Sequence, residues 1–122
     1  MIKYQESEEM YLETILLLKQ KSPNVHAIRI AEELGYSRPS VSRGVNLLAQ
    51  KGYITVAPSG EINFTEEGKS KAENIYERHT VITELLEITG ASRELAEENA
   101  WRIEHVISPE LFEILKNYVK NR

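Results

Sequence analysis

The stretch that most narrows the fold is YITVAPSGEINF, residues 53–64. Tyr53, Ile54, Thr55 and Val56 are β-formers, Pro58-Ser59-Gly60 is a turn sequence, and Ile62 and Phe64 alternate with polar neighbours. That pattern describes a hairpin, and it interrupts a chain whose other segments carry helical spacing and helix punctuation. Residues 7–20 read as a first helix, with Ser7 as its cap and Tyr11, Leu12, Ile15, Leu16 and Leu18 as its apolar stripe. The KSPN sequence at 21–24 breaks it. A short helix over 26–34 offers Ile28, Ile30, Ala31 and Leu34 for burial and stops at Gly35. Ser37 caps a third helix, with Pro39 in its first turn, where a missing N–H costs nothing. Val41, Val45, Leu48 and Leu47 form its expected buried face, and Gly52 ends it.

After the hairpin, Thr65 opens a long helix reaching about Thr89, Gly90 ends it, and Ser92 and Ser108-Pro109 open two more. Helix, tight turn, helix, hairpin is the winged-helix order, which lays the third helix in a major groove. The expected fold class is mainly α. An N-terminal winged helix–turn–helix with a two-stranded wing spans residues 1–72, and a C-terminal helical dimerisation region spans 73–122. Trp101, Ile103, Val106, Ile107, Leu111, Phe112, Leu115 and Tyr118 exceed what one small core needs and are the expected two-fold interface.

Charge is distributed unevenly. The 122 residues carry a net charge of −4, yet residues 21–64 hold five cations against three carboxylates. Inside that segment, Arg38, Ser40, Ser42 and Arg43 occupy the first two turns of the third helix. Hydroxyls and free amides at a helix N-terminus hold phosphate, and arginine reads guanine with two donors. Arg29 and Lys51 can add phosphate contacts. The plainer alternative is a solvated helix face with a serine cap; the adjoining hairpin favours double-stranded DNA as the partner.

Other classes are disfavoured. There is no cysteine, so there is no disulfide or thiolate site, and a reducing cytoplasm is the expected location. Three histidines without a glycine-rich phosphate loop or an HExxH motif argue against an enzyme. The N-terminus is polar and acidic, unlike a signal peptide, and the longest aliphatic run is 15–18, too short for a membrane span.

Five segments in order, EEMYLETILLL (8–18), RIAEELGYSRPSVSRGVNLLAQKGYI (29–54), FTEEGKSKA (64–72), ERHTVITELL (77–86) and WRIEHVIS (101–108), together resemble the diphtheria toxin repressor and manganese transport regulator family of metal-dependent transcription regulators. The resemblance implies a homodimer, a winged helix for operator DNA, and a divalent metal held between the DNA-binding and dimerisation parts. It implies Ser37, Pro39, Ser40, Ser42 and Arg43 as groove-facing residues, and Met10, Glu13, His79, Glu104 and His105 as metal ligands. Carboxylate, imidazole and thioether suit transition metals, with manganese or iron expected.

Three features depart from the family pattern. Met10 stands where manganese-selective members have aspartate, and Trp101 stands where members place a carboxylate or thiol. Thr83 and Glu97 replace a glutamate and a histidine of iron-type members. With Arg122 as the last residue given, the expected plan is the shorter, manganese-regulator one, without the further C-terminal domain of iron-type members. The expected function is a metal-responsive, homodimeric repressor of metal-homeostasis genes. The alternative is a regulator of the same fold that has lost or altered metal control.

Overall fold

In the computed structural model the backbone is described from Ile2 to Arg122 and side chains from Glu8 onward. Among the described residues, six helices and one two-stranded sheet follow in the order α1 (Ile2–Lys21), α2 (Ala27–Leu34), α3 (Arg38–Gln50), β1 (Ile54–Val56), β2 (Ile62–Phe64), α4 (Glu66–Ile88), α5 (Arg93–Ile103) and α6 (Pro109–Lys120). The chain divides into two compact units, Lys3–Glu73 and Asn74–Arg122. The expected start of the first helix is corrected: α1 already runs from Ile2, so Ser7 lies inside it and does not cap it, and its side chain falls outside the described residues.

The first unit is held by Leu12, Ile15, Ile30, Val41, Leu48 and Ile62, all buried. Each large aliphatic side chain so buried contributes about 1.5–3 kcal/mol. The turn between α2 and α3 is set by Gly35, whose φ of 72° lies in the left-handed region and lets its N–H reach the Ala31 carbonyl at 2.8 Å. Two residues later the Ser37 hydroxyl accepts the Ser40 N–H, capping α3. At the far end, Gly52 N–H bonds to Ala49 and Tyr53 N–H to Leu48, the paired bonds that close a helix on a left-handed residue.

The wing is antiparallel, with Ile54 opposite Phe64 and Val56 opposite Ile62. It is anchored to the rest of the unit through its second strand. The Ile62 N–H bonds to the Val25 carbonyl at 2.8 Å, and the Lys19 ammonium bonds to Asn63 Oδ1 at 2.7 Å. Thr65 donates its hydroxyl proton to the Gly52 carbonyl and accepts the Gly68 N–H, so one side chain ties the end of α3 to the start of α4.

Two expectations about burial are corrected. Ile28 is 43 % exposed on α2 and Leu47 46 % exposed on α3, because the inward face of each helix is already filled by Ile30 and Ala31 and by Val41, Val45 and Leu48.

The second unit packs the later turns of α4 with α5 and α6. Val81, Phe112 and Val119 form its core, with Leu85, Ile88 and Ile107 against them. Phe112 and Ile107, expected at an intersubunit face, are thus used by the unit's own core. Ser92 and Ser108 cap α5 and α6 by accepting the Leu95 and Leu111 N–H groups. No helix among the described residues is long and apolar enough to cross a membrane.

Candidate metal centre and nucleic-acid interface

The clearest chemical cluster lies in the second unit. His79 comes from the middle of α4, Glu104 is the residue on which α5 ends, and His105 follows it in the turn. Glu104 N–H bonds back to the Ala100 carbonyl at 2.9 Å, which keeps its backbone helical and aims its side chain inward. Its carboxylate is wholly buried. One oxygen lies 2.9 Å from His79 Nδ1 and the other 3.4 Å from His105 Nε2. A buried carboxylate between two imidazoles is a donor set for a borderline-soft divalent ion.

Two neighbours shape this cluster. Trp101, one turn before Glu104, stands edge-on to both imidazoles, with ring centroids 6.1 Å from His79 and 6.0 Å from His105. Its indole offers no ligand atom, so it acts as an apolar wall that limits water at the two rings. Arg78 donates from Nη1 to the Glu104 carbonyl oxygen at 3.0 Å and lays its guanidinium 5.7 Å from the Phe112 ring centre. Arg78 was not singled out from sequence; its place beside His79 in ERH was the available signal.

The remaining expected ligands, Met10 and Glu13, lie on α1 in the first unit. Met10 is half-buried and Glu13 fully buried. They are one turn apart on a shared helix face.

The first unit presents the expected DNA-facing residues at the start of α3. Ser37, Arg38, Pro39, Ser42 and Arg43 are exposed and Ser40 is half-buried. Three of them form a cluster: the Ser37 hydroxyl donates to Ser40 Oγ at 3.0 Å, and Arg43 Nη2 donates to the same oxygen at 3.3 Å. Arg38 and Ser42 instead flank an open notch with Ala27 and Ile28. Arg29 is exposed on α2, 3.9 Å from Glu32. Lys51, expected to reach phosphate, is paired with Glu8 on α1. Burial disfavours the charge on Glu8, but hydrogen bonds from Lys51 and Lys71 outweigh it and hold the carboxyl below its ordinary range.

Behind α3 stands a residue whose role was not foreseen. Tyr11 on α1 packs edge-on against Tyr36 at 6.1 Å, and its hydroxyl donates to the Ser40 carbonyl at 3.4 Å. Its ring lies directly on the backbone of α3 at Gly44, where an added Cβ would fall 2.0 Å from a ring carbon.

The family models that match the chain meet at the end of the wing, ahead of the division between the two compact units at Glu73 and Asn74. Residues 3–62 match the family model for the iron dependent repressor N-terminal DNA binding domain, and residues 65–122 match that for its metal binding and dimerisation domain. The chain is 35% identical over 107 residues to the diphtheria toxin repressor of Corynebacterium glutamicum, covering 87% of this chain and 47% of that protein. It is 31% identical to an uncharacterised helix–turn–helix transcriptional regulator of Methanocaldococcus jannaschii, covering 94% of each. A solved manganese-dependent transcriptional repressor in complex with manganese superposes with a TM-score of 0.85 at 21% identity, over 94% of this chain and 53% of that one; this likeness concerns the fold. The chain spans about half the length of the corynebacterial relative.

Proposed function

The chain belongs to the iron-dependent repressor family, and on that premise we propose that it is a metal-responsive, homodimeric regulator that represses metal-homeostasis genes by binding operator DNA in the cytoplasm. The observation that carries this reading is the wholly buried Glu104 carboxylate between His79 and His105. A carboxylate held out of solvent within reach of two imidazoles gives a donor set that suits a transition metal.

His79, Glu104 and His105 are the ligands from the second unit, and Met10 and Glu13 those from α1. Manganese or iron is the ion proposed. When bound, it supplies positive charge and a fixed set of ligand directions. Everything else is done by the chain. Arg78 fixes the Glu104 turn, Trp101 limits water at the imidazoles, and Ser37, Arg38, Pro39, Ser40, Ser42 and Arg43, with Arg29 on α2, meet the duplex. Serine hydroxyls and amides at the head of α3 suit phosphate, and the arginines suit phosphate or guanine.

The exposed apolar stripe Leu111, Ile114 and Tyr118 on α6 supports pairing of two copies. In the family's docking geometry such pairing sets two α3 helices about 34 Å apart, one groove turn.

The test is reciprocal. Metal titrated into the protein binds about tenfold more tightly when a palindromic duplex is present, because coupling between two sites runs both ways. Equal affinity with and without duplex contradicts metal control. One observation favours a second reading, a regulator with lost or altered metal control: an indole stands beside the two imidazoles where a further donor could have been. Replacing Glu104 and His105 together separates the two, since only metal control predicts that the parent's response disappears in the variant.

A further inference from the structure

The head of α3 is backed by one aromatic side chain from α1. The Tyr11 ring is buried and lies on the α3 backbone at Gly44, where an added Cβ would meet Cε2 at 2.0 Å and Cδ2 at 2.7 Å. Its hydroxyl donates to the carbonyl of Ser40, and the Ser40 hydroxyl accepts from Ser37 and Arg43 at the exposed face. A tyrosine has two rotatable bonds and a rigid ring, and here it touches backbone rather than a flexible side chain. Displacement of α1 therefore passes to α3 with little slack.

The place of Tyr11 on α1 adds the second half. Met10 and Glu13 sit about 60° apart around the helix, while Tyr11 lies about 100° from Met10 and about 160° from Glu13. The proposed ligands and the ring occupy opposite sides of one helical turn.

We infer that Tyr11 is the positioning residue through which metal captured by α1 sets the head of α3 for DNA, with Gly44 as the notch that receives it. This rests on the metal-responsive reading above. Energy spent holding Met10 and Glu13 is relayed by the ring to Ser40 and Gly44, and so to the Ser37–Ser40–Arg43 cluster. Tyr11 touches neither metal nor DNA.

The experiment compares the parent with Tyr11→Met, which fills the space with a flexible chain, and Tyr11→Phe, which keeps the ring. Three quantities are measured on each with Mn(II) as the probe: metal affinity off DNA, affinity for a palindromic duplex pool with chelator, and the same affinity with metal. Tyr11→Met is expected to keep metal affinity within about twofold while metal strengthens its DNA binding less than about twofold. Tyr11→Phe is expected to keep most of the parental enhancement. A folded Tyr11→Met that retains the full enhancement overturns the inference and leaves metal control standing. A parent with no enhancement overturns both.

Hydrogen exchange on the parent serves if Tyr11→Met does not fold. Metal should slow the amides of residues 40–45, and unchanged exchange there in a metal-responsive parent overturns the inference.

Discussion

His79 Nδ1 and Glu104 Oε2 stand 2.9 Å apart, linking the middle of α4 to the residue that ends α5. The contact brings together side chains 25 positions apart in sequence and buries the carboxylate completely. Glu104→Gln keeps the shape and a hydrogen-bonding oxygen but removes the negative charge that balances a divalent ion. We expect at least a tenfold loss of metal affinity, read by calorimetric titration with Mn(II) or Co(II), with helical content unchanged by circular dichroism.

The single tryptophan makes the cluster observable. Trp101 lies about one ring away from both imidazoles. Paramagnetic Mn(II) or Co(II) bound by those rings will quench its emission, and the titration midpoint will follow that of calorimetry. In His79→Ala the quenching shifts to higher metal concentration.

Gly68 reverses an ordinary rule. In a helix, Gly→Ala usually stabilises by about 0.5–1 kcal/mol. Here the added Cβ would fall 1.8 Å from the Tyr53 carbonyl oxygen, a backbone atom held where the wing begins. Gly68→Ala is expected to destabilise by about 1–3 kcal/mol in urea unfolding, as overpacking does.

Glu8 gives the first unit a pH dependence. Burial works against its charge, but hydrogen bonds from Lys51 and Lys71 prevail, so its folded pKa lies below the ordinary 4.5. A depressed carboxylate contributes stability that is fully present above its unfolded pKa and is lost as pH falls through the folded value. Glu8→Gln should therefore be less stable than the parent at pH 7. The gap should close as pH drops below about 4.5 in thermal melts.

On the proposed reading, the α6 stripe carries the pairing of two copies. Ile114 is 64 % exposed and flanked on one face by Leu111 and Tyr118. Ile114→Glu places a charge in that face, and sedimentation equilibrium should show monomer at concentrations where the parent is dimeric. Affinity for a palindromic duplex falls with it.

Local signals in the chain were readable where the cause was local. Gly35, Ser37, Ser92 and Ser108 mark turns and caps through their own backbone and hydroxyl, and the structure has them in those roles. The wing was legible because β-formers and a Pro-Ser-Gly turn contrast with helical neighbours. The start of α1 was not, because residues 2–7 (IKYQES) hold only Ile2 and Tyr4 as large apolar or aromatic residues, too few to mark a helical period.

What depended on distant partners was hidden. Leu47 and Ile28 look like core on a helical wheel, yet other residues had already filled the inward face. Gly44 and Gly68 look like weak points in helices, and only Tyr11 and the Tyr53 carbonyl explain them. In the candidate metal cluster the chemistry of His79, Glu104 and His105 is suggested by residue type and family pattern. The Arg78 bond to the Glu104 carbonyl required the fold.

The central claim is that metal occupancy and DNA affinity are linked in one protein. Its most direct test is equilibrium binding to a pool of palindromic duplexes at fixed salt, with Mn(II) or Fe(II) and again with chelator. The account predicts at least a tenfold tighter dissociation constant with metal, about 1.4 kcal/mol of coupling, and weakening as salt rises. Identical dissociation constants in the two conditions would contradict it.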